Sequence, residues 1–368
     1  MISRLERDLI EIDSGLGSGG PSTNRELADA ILRRTVVVSH VSDRLIADLG
    51  AAYSQAAREL AARMRAAFAR GIGPGRFSQE LRGAVANELA EVLIELNRQT
   101  RGAFDDVLRD LWDAEIETGV AIFERSIPDD VLQWVRIARP NAAVLDVANV
   151  DVLGQSLGRW YSRRLDNDLA ALARELGVGA LQGDDMQTMI RRVRAILQDS
   201  GRRARDVART ATQTIANEAN GELFAANRDV VKGVVYEATF DRRTCPVCAG
   251  NDGRRFVGEA FDRRIRIPIH PNCRCVYTPI TKSWKELGIP GAALSPASKA
   301  SMNGQVPGEL SFAGWLKTQP DSVANDILGK GRADLWRSGR FRLRDFQTDR
   351  THRPIPLRTL RRRLLRSS

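Results

Sequence analysis

Apolar residues recur at helical spacing through the first part of the chain. From Thr23 to the glycine-rich stretch 71–75 they return every three or four positions, which predicts one long amphipathic helix. Thr23 followed by Glu26 is a capping-box signature for the start of that helix. A second stripe of the same period ends near Pro128. Two long helices joined by a short loop predict an antiparallel hairpin over residues 21–128.

In residues 129–232 the apolar residues still recur at helical spacing, but in shorter runs. The sequence predicts breaks at Pro140 and at Gly177-Val-Gly179, and then separate helices over 189–197 and 204–227. The residues expected in the core are Trp134, Leu157, Trp160, Leu165, Leu169, Leu172 and Leu176. We interpret this part as a helical body that follows the hairpin.

After residue 232 the apolar residues recur at every second position. Val234–Phe240 and Arg264–Ile269 alternate in the manner of strands, which predicts a small β-rich module over 233–300. Residues 301–368 follow as a C-terminal extension. The predicted fold class is therefore α+β and mostly helical, with a long N-terminal helical hairpin and a helical body before the β-rich module and the extension.

The first 20 residues are predicted to be flexible. The run Gly-Leu-Gly-Ser-Gly-Gly at 15–20 matches the spacing G-x-G-x-x-G of dinucleotide-binding loops. However, no apolar strand precedes it, and Pro21 stands where the phosphate-binding helix needs free N–H groups. We therefore interpret this run as a linker.

Composition places the chain among globular proteins. It has 368 residues, of which 43% are hydrophobic and 28% charged, and a disordered chain would be poorer in apolar side chains. No run approaches the roughly 18 apolar residues that span a bilayer. The N-terminus carries acidic residues where a secretory signal has an apolar run. The sequence predicts a protein made in a reducing cytoplasm.

Charge is distributed unevenly along the chain. The total is +10, but residues 1–150 carry −5 and residues 301–368 carry +8, so the C-terminal extension is basic. Clustered arginines bind phosphates through released counterions and forked hydrogen bonds. DNA is therefore the favoured partner of the basic end, while an acidic protein surface and a solvated arginine-rich face are the alternatives. The candidate DNA-binding residues are Arg358, Arg361, Arg362, Arg363 and Arg366.

All four cysteines and one of the three histidines lie in one short window. Cys245-Pro-Val-Cys248 is a C-x-x-C turn, and His270-Pro-Asn-Cys273-Arg-Cys275 follows it. A C-x-x-C turn directs two thiolates at one ion, and an H-x-x-C pair completes a tetrahedron from a second turn. The leading hypothesis is a structural zinc site that staples the β-rich module, with Cys245, Cys248, His270, Cys273 and Cys275 as candidate ligands.

Five candidate ligands exceed the four that tetrahedral zinc needs. Cys273 and Cys275 are two residues apart, so on an extended segment they face the same side. We prefer Cys273 as the ligand and keep Cys275 as its substitute. A disulfide between the two turns and free buried thiols are the alternatives. A thioredoxin-like redox motif would need a βαβ setting, which the sequence lacks.

The sequence lacks the common catalytic signatures. It contains no H-E-x-x-H, no deaminase H-x-E with P-C-x-x-C, no G-x-S-x-G and no Walker lysine loop. Asp241 and Asp252 flank the C-x-x-C turn, and we expect them to cap turns and to pair with neighbouring arginines such as Arg243 or Arg254. We therefore expect no enzymatic activity.

The most specific motif of the chain is Pro268-Ile-His-Pro-Asn-Cys-Arg-Cys275. Further motifs are Ala208-Arg-Thr210, Ala225-Ala-Asn227, Asp241-Arg-Arg-Thr-Cys-Pro-Val-Cys248, Gly253, Pro279, Phe312-Ala-Gly-Trp-Leu316, Gln319-Pro320, Ile327-Leu-Gly329, Arg332 and Gly339. Together they resemble the phage head morphogenesis family of Mu F-like minor head proteins. The resemblance covers about residues 150–350 and leaves out the N-terminal hairpin.

This resemblance implies a minor capsid protein of a tailed bacteriophage, located in the virion and assembled in the host cytoplasm. Such proteins act in head morphogenesis and procapsid maturation, associate with the portal vertex, and in some phages influence DNA packaging or ejection. The implied partners are the portal protein, capsid or scaffold proteins and packaged DNA. Two alternatives stay open: a zinc-containing nucleic-acid-binding protein unrelated to virions, and a phage-delivered enzyme or toxin.

Overall fold

Long helices precede a small antiparallel sheet, in agreement with the mostly helical α+β class. The computed structural model describes residues 23–70, 76–127, 132, 135–140, 145–282, 286–287, 298–301, 304–307, 310–347 and 354–366. The helices are α1 (Thr23–Ala69), α2 (Gln79–Ser126), α3 (Leu157–Gln182), α4 (Met186–Ala226), α5 (Pro246–Asn251), α6 (Phe312–Lys317), α7 (Asp321–Leu328), α8 (Lys330–Arg337) and α9 (Leu357–Arg366). The strands are β1 (Asp151–Val152), β2 (Gln155–Ser156), β3 (Val231–Glu237), β4 (Arg255–Val257), β5 (Val276–Thr281), β6 (Ser298–Ser301) and β7 (Gly304–Pro307).

The first helix begins at Thr23, as the capping signature predicts, and ends at Ala69 before the glycine-rich stretch. Of the residues expected in the core of the helical body, Leu157, Leu172 and Leu176 are buried. Trp160, Leu165 and Leu169 are half-buried. Trp134 and the predicted flexible N-terminus 1–20 lie outside the described residues.

The helix break predicted at residues 177–179 is wrong, because α3 continues through both glycines. A Cβ at Gly179 would lie 2.1 Å from the sulfur of Met189, so this glycine allows α3 to approach α4. The two helices predicted over 189–197 and 204–227 are likewise one helix, α4. Within it the hydroxyl of Ser200 donates to Asp168 at 2.6 Å. Small residues here mark close packing between helices, which the sequence pattern does not distinguish from a break.

The sheet of three strands has the order β4-β3-β5, and both pairs are antiparallel. In the central strand β3, Val234 pairs with Phe256 on one side and with Pro279 on the other. Every residue of β5 is buried. The remaining strands form two separate ribbons, β1 with β2 and β6 with β7.

The strand predicted over 264–269 is wrong, because this segment is a loop and β5 takes its place in the sheet. Pro268 has no N–H group to donate to a neighbouring strand. The loop is held instead by side chains: Ile267 is buried in the core, and the hydroxyl of Tyr277 donates to the carbonyl oxygen of Ile265 at 2.6 Å. The alternating isoleucines therefore reflect a loop packed on the core.

Contacts divide the chain into two compact units. The helical unit comprises Val38–Trp112 and Ala142–Ile215, and the sheet unit comprises Met1–Val37, Asp113–Asn141 and Ala216–Ser368. Within the described residues, no helix combines the length and the apolar character needed to cross a bilayer.

The helical unit contains part of the predicted hairpin and a buried polar network. Arg63 of α1 forms an ion pair with Glu91 of α2, and Arg70 of α1 forms one with Glu88. The residue number rises from 63 to 70 on α1 while that of the partner falls from 91 to 88 on α2, so the two helices are antiparallel. Nearby, the buried guanidinium of Arg164 donates to the hydroxyl of Tyr53 and to Thr100.

The sheet unit is organised around one hydrophobic core. Residues of β3 and β5, the aromatic side chains Phe240 and Trp315, and the thiols of Cys248 and Cys273 all belong to it. Leu360 of α9 is fully buried in the same core. The segment predicted as a basic extension thus contributes buried side chains to the unit that contains the cysteine cluster.

Candidate metal centre

The first arm of the cluster is the start of helix α5. Cys245 is the N-cap residue of α5, and its sulfur accepts a hydrogen bond from the backbone N–H of Cys248 at 3.4 Å. Pro246 occupies the first turn of the helix, where a missing N–H group costs nothing. The C-x-x-C sequence therefore folds as a helix N-terminus, and the positive end of the helix dipole favours thiolate anions there.

The second arm is a turn that leads into β5. The backbone N–H of Cys273 donates to the carbonyl oxygen of His270 at 3.2 Å, which closes the turn. Asn272 within it has a φ of 58°, a left-handed conformation that asparagine adopts more readily than most residues. The turn places His270 and Cys273 beside the first arm.

Three distances between donor atoms of the two arms are close to those of a tetrahedral metal site. The Nε2 atom of His270 is 3.2 Å from the sulfur of Cys245 and 3.2 Å from that of Cys248. The sulfurs of Cys248 and Cys273 are 3.9 Å apart. Zn–S bonds of about 2.3 Å and Zn–N bonds of about 2.0 Å place sulfurs about 3.8 Å apart, and sulfur and nitrogen about 3.5 Å apart.

Two overlapping groups of side chains could hold the ion. One is Cys245, Cys248 and His270, and the other is Cys248, Cys273 and Cys275, with the donor atoms of each group within 4.8 Å of one another. Cys248 belongs to both groups. The structure therefore brings together all five candidate ligands that the sequence nominates, and it makes Cys248 the common member.

The tautomer of His270 suits metal binding. Its Nδ1 atom is 2.8 Å from the carbonyl oxygen of Pro271. A proton on Nδ1 donates to that carbonyl, which leaves the Nε2 lone pair for an ion between the sulfurs. A histidine ligand oriented by a backbone carbonyl is a common arrangement in metal sites.

Without a metal, the cluster holds negative thiolates beside a positive imidazole. The pKa of Cys245 is lowered to about 4 by its hydrogen bond with the thiol of Cys248 and then by that with His270. The pKa of Cys273 is lowered to about 2 by its hydrogen bonds with Cys248 and Cys275. The hydrogen bond with Cys245 raises the pKa of His270 to about 9. At neutral pH an arriving divalent cation would meet thiolates and displace the histidine proton.

Cys275 differs from Cys245 and Cys273 in the direction of its pKa shift. Burial raises the pKa of Cys275 well above the ordinary value, and that of Cys248 is also raised, chiefly by its hydrogen bonds with Cys245 and Cys273. The hydroxyl of Tyr236 interacts with Cys275 and also donates to the sulfur of Cys248 at 3.5 Å. The four cysteines, all among the described residues, form no disulfide bond, and the 3.9 Å between the sulfurs of Cys248 and Cys273 is nearly twice a disulfide bond of about 2.05 Å.

Two residues next to the cluster were not identified as partners from the sequence. Arg274, between Cys273 and Cys275, forms an ion pair with Asp241, in addition to the expected pairing of Asp241 with Arg243, whose Nε lies 3.9 Å from Oδ2 of Asp241. The backbone N–H of Arg243 does donate to Asp241, at 2.8 Å, so the expected turn cap is present. The position of Arg274 between two cysteines is the sequence feature that could have identified it as a residue of the site.

The structure places the candidate DNA-binding arginines on α9. Arg358, Arg361, Arg362 and Arg363 are exposed, and the side chain of Arg366 lies outside the described residues. Arg358, Arg361 and Arg362 are three and four residues apart, so they share one face of the helix. Leu360 anchors the opposite part of α9 in the core of the sheet unit. The arrangement presents positive charge to the solvent from a fixed helix.

Residues 171–278 match the family model described as Phage Mu protein F like protein. The matched segment contains both arms of the cysteine cluster, while the motifs at 312–339 lie beyond it. No curated protein and no solved structure gave a match to the chain. The resemblance seen in the sequence is thus confirmed for residues 171–278, the segment that is similar to the Mu F-like family.

Proposed function

We propose that this protein is a minor component of a phage head that acts in head assembly. The observation that carries the proposal is the family match over residues 171–278, the segment that contains the metal-ligand cluster. The proposed location is the virion, and the proposed partners are the portal protein and capsid or scaffold proteins. This role is one of structure and assembly, and it requires no catalytic residue.

The proposed metal is zinc, held by Cys245, Cys248, His270 and Cys273. Three thiolate sulfurs and one imidazole nitrogen are a ligand set that zinc favours. Cys273 is preferred over Cys275 because its pKa is lowered, whereas burial raises that of Cys275. Four protein ligands leave no open position for a substrate, so the zinc would stabilise the fold.

The assembly role predicts that heads depend on this chain. We expect the full-length protein to copurify with the portal protein of the phage that encodes it, and particles made without it to contain fewer complete, DNA-filled heads. The measurements are affinity copurification of the coexpressed pair and electron microscopy of particles from a phage lacking the gene. Complementation with the intact gene is the control. Normal particle numbers without the protein, together with no association with portal or capsid proteins, would contradict the assembly role.

A second proposed activity is DNA contact by the arginines of α9. It is supported by the exposure of Arg358, Arg361 and Arg362 on one face of an anchored helix. Contacts to phosphates would make the affinity fall steeply with salt, because each contact releases bound counterions. DNA binding in the absence of any portal association would favour the alternative of a nucleic-acid-binding protein unrelated to virions.

Replacing Arg361 and Arg362 by glutamine is expected to weaken binding of duplex DNA. The slope of log affinity against log salt should become shallower by about 2, one for each lost phosphate contact. The measurement is fluorescence anisotropy with the full chain at several salt concentrations. The matched control replaces Arg191 and Arg194, two exposed arginines of α4, and changes the net charge equally. Equal effects of the two variants would mean that α9 has no specific role, and salt-insensitive binding would exclude phosphate contact.

A further inference from the structure

An ion pair connects the two arms that carry the metal ligands. Asp241 lies four residues before Cys245, and Arg274 lies between Cys273 and Cys275. Nη2 of Arg274 donates to Oδ1 of Asp241 at 2.7 Å, and Nη1 donates to Oδ2. The two side chains are only 27% and 19% exposed. A bidentate contact of this kind fixes direction as well as distance.

Further hydrogen bonds hold the carboxylate of Asp241 on the first arm. Its Oδ1 accepts from the backbone N–H of Arg243 at 2.8 Å and lies 3.3 Å from the hydroxyl of Thr244. Burial raises the pKa of Asp241, but the hydrogen bonds from Arg274 outweigh it, so its pKa lies below the ordinary value. The carboxylate is therefore ionised and oriented at neutral pH.

A second link joins the arms at the main chain. The hydroxyl of Thr239 donates to the carbonyl oxygen of Arg274 at 3.2 Å, and the hydroxyl of Thr244 donates to the carbonyl oxygen of Thr239. The second arm is thus attached to the first at both the side chain and the backbone of Arg274. A movement of Arg274 would shift Cys273, the adjacent residue.

We propose that Asp241 and Arg274 are positioning residues of the metal centre, which hold the second arm against the first so that the sulfur of Cys273 lies 3.9 Å from that of Cys248, a spacing that suits a tetrahedral ion. This inference rests on the proposed zinc site and adds that the affinity and geometry of the site are set by a pair of charged residues that do not bind the metal. Partners that orient metal ligands typically change metal affinity by about 10- to 100-fold when they are replaced.

The test compares Asp241→Asn with Asp262→Asn in the full chain. Asp262 also pairs with an arginine of the same unit, since Nη2 of Arg228 donates to both of its oxygens at 2.8 Å, but neither residue adjoins a ligand. We expect Asp241→Asn to lower Zn²⁺ affinity about 10- to 100-fold in competition with a chromophoric chelator, and Asp262→Asn to leave it within a factor of two. Unchanged affinity in Asp241→Asn would overturn the proposal.

The absorption spectrum of the Co²⁺-loaded protein distinguishes a role in positioning the metal ligands from a general effect on protein stability. Tetrahedral Co²⁺ has visible bands that depend on the arrangement of its ligands, so Asp241→Asn should shift or weaken them while Asp262→Asn should not. Arg274→Lys is the second variant. It keeps the charge but loses the forked donor geometry, and we expect a smaller affinity loss in the same direction. Wild-type spectra and affinities in both Asp241→Asn and Arg274→Lys would contradict the positioning role. Failure of the unaltered protein to bind either ion would instead refute the zinc site itself.

Discussion

Removing the metal from the full chain is expected to unfold the region around the cysteine cluster. Structural zinc sites contribute about 10–16 kcal/mol of apparent folding free energy in small zinc modules. Here the ligands Cys248 and Cys273 are also part of the core of the sheet unit, so the loss of the ion leaves the Cys273 thiolate in an apolar setting. We expect a chelator to lower the thermal unfolding temperature, and added Zn²⁺ to restore it under reducing conditions.

Single cysteine variants test the ligand set behind that result. Metal analysis of the purified protein should give one zinc per chain for the unaltered protein and none for Cys248→Ser, because Cys248 belongs to both possible groups. Cys273→Ser should also lose the zinc, whereas Cys275→Ser should keep it. The opposite behaviour of the last two variants would make Cys275 the ligand. An unaltered protein without stoichiometric zinc under reducing conditions would refute the site.

The ligand cluster could be predicted from the sequence because its information is local. Two short motifs, C-x-x-C and H-x-x-C, each fold as a single turn, and the five candidate residues do come together. The way in which the two arms are held against each other depends on contacts between residues far apart in the sequence. The pairing of Asp241 with Arg274 joins residues 33 positions apart, so no local pattern reports it.

The errors in the fold have the same physical origin. Gly177 and Gly179 predict a helix break from local propensity, but packing of α3 against Met189 outweighs the cost of glycine in a helix. The isoleucines at 265, 267 and 269 alternate as in a strand, yet the segment is a loop and Ile267 packs from it into the core. In both places a tertiary contact determines the backbone conformation, whereas the local sequence pattern shows only that a side chain is small or apolar.

The C-terminal extension is a further case in which the sequence pattern does not show the tertiary packing. Its net charge of +8 predicts a basic extension, but charge describes the surface and not the interior. Phe312 and Trp315 of α6 are buried against Phe240, with ring centroids 5.1 and 5.4 Å from that ring. The backbone N–H of Phe312 also donates to Asp252, just after helix α5, at 2.9 Å. The exposed arginines of α9 therefore follow a segment that is packed on the metal-centre region.

Replacing Trp315 by alanine is expected to detach this segment from the sheet unit. Trp315 is 1% exposed, and truncation of a buried aromatic side chain costs about 3–5 kcal/mol. We expect a lower unfolding temperature and faster proteolysis within residues 310–366. Zinc content should remain at the level of the unaltered protein, since the ligands precede the segment and are held by their own two turns.

Trp315→Phe is the matched control for that experiment. The indole N–H of Trp315 is buried without an acceptor among the described residues, so phenylalanine loses no hydrogen bond and keeps most of the aromatic contact. Its expected cost is smaller than that of Trp315→Ala, because less of the buried side chain is removed. Because the α9 arginines follow the segment that Trp315 anchors, Trp315→Ala should also weaken DNA binding if a fixed helix is what the DNA contacts. Intact stability and protease resistance in Trp315→Ala would mean that the segment does not depend on this aromatic cluster for its attachment.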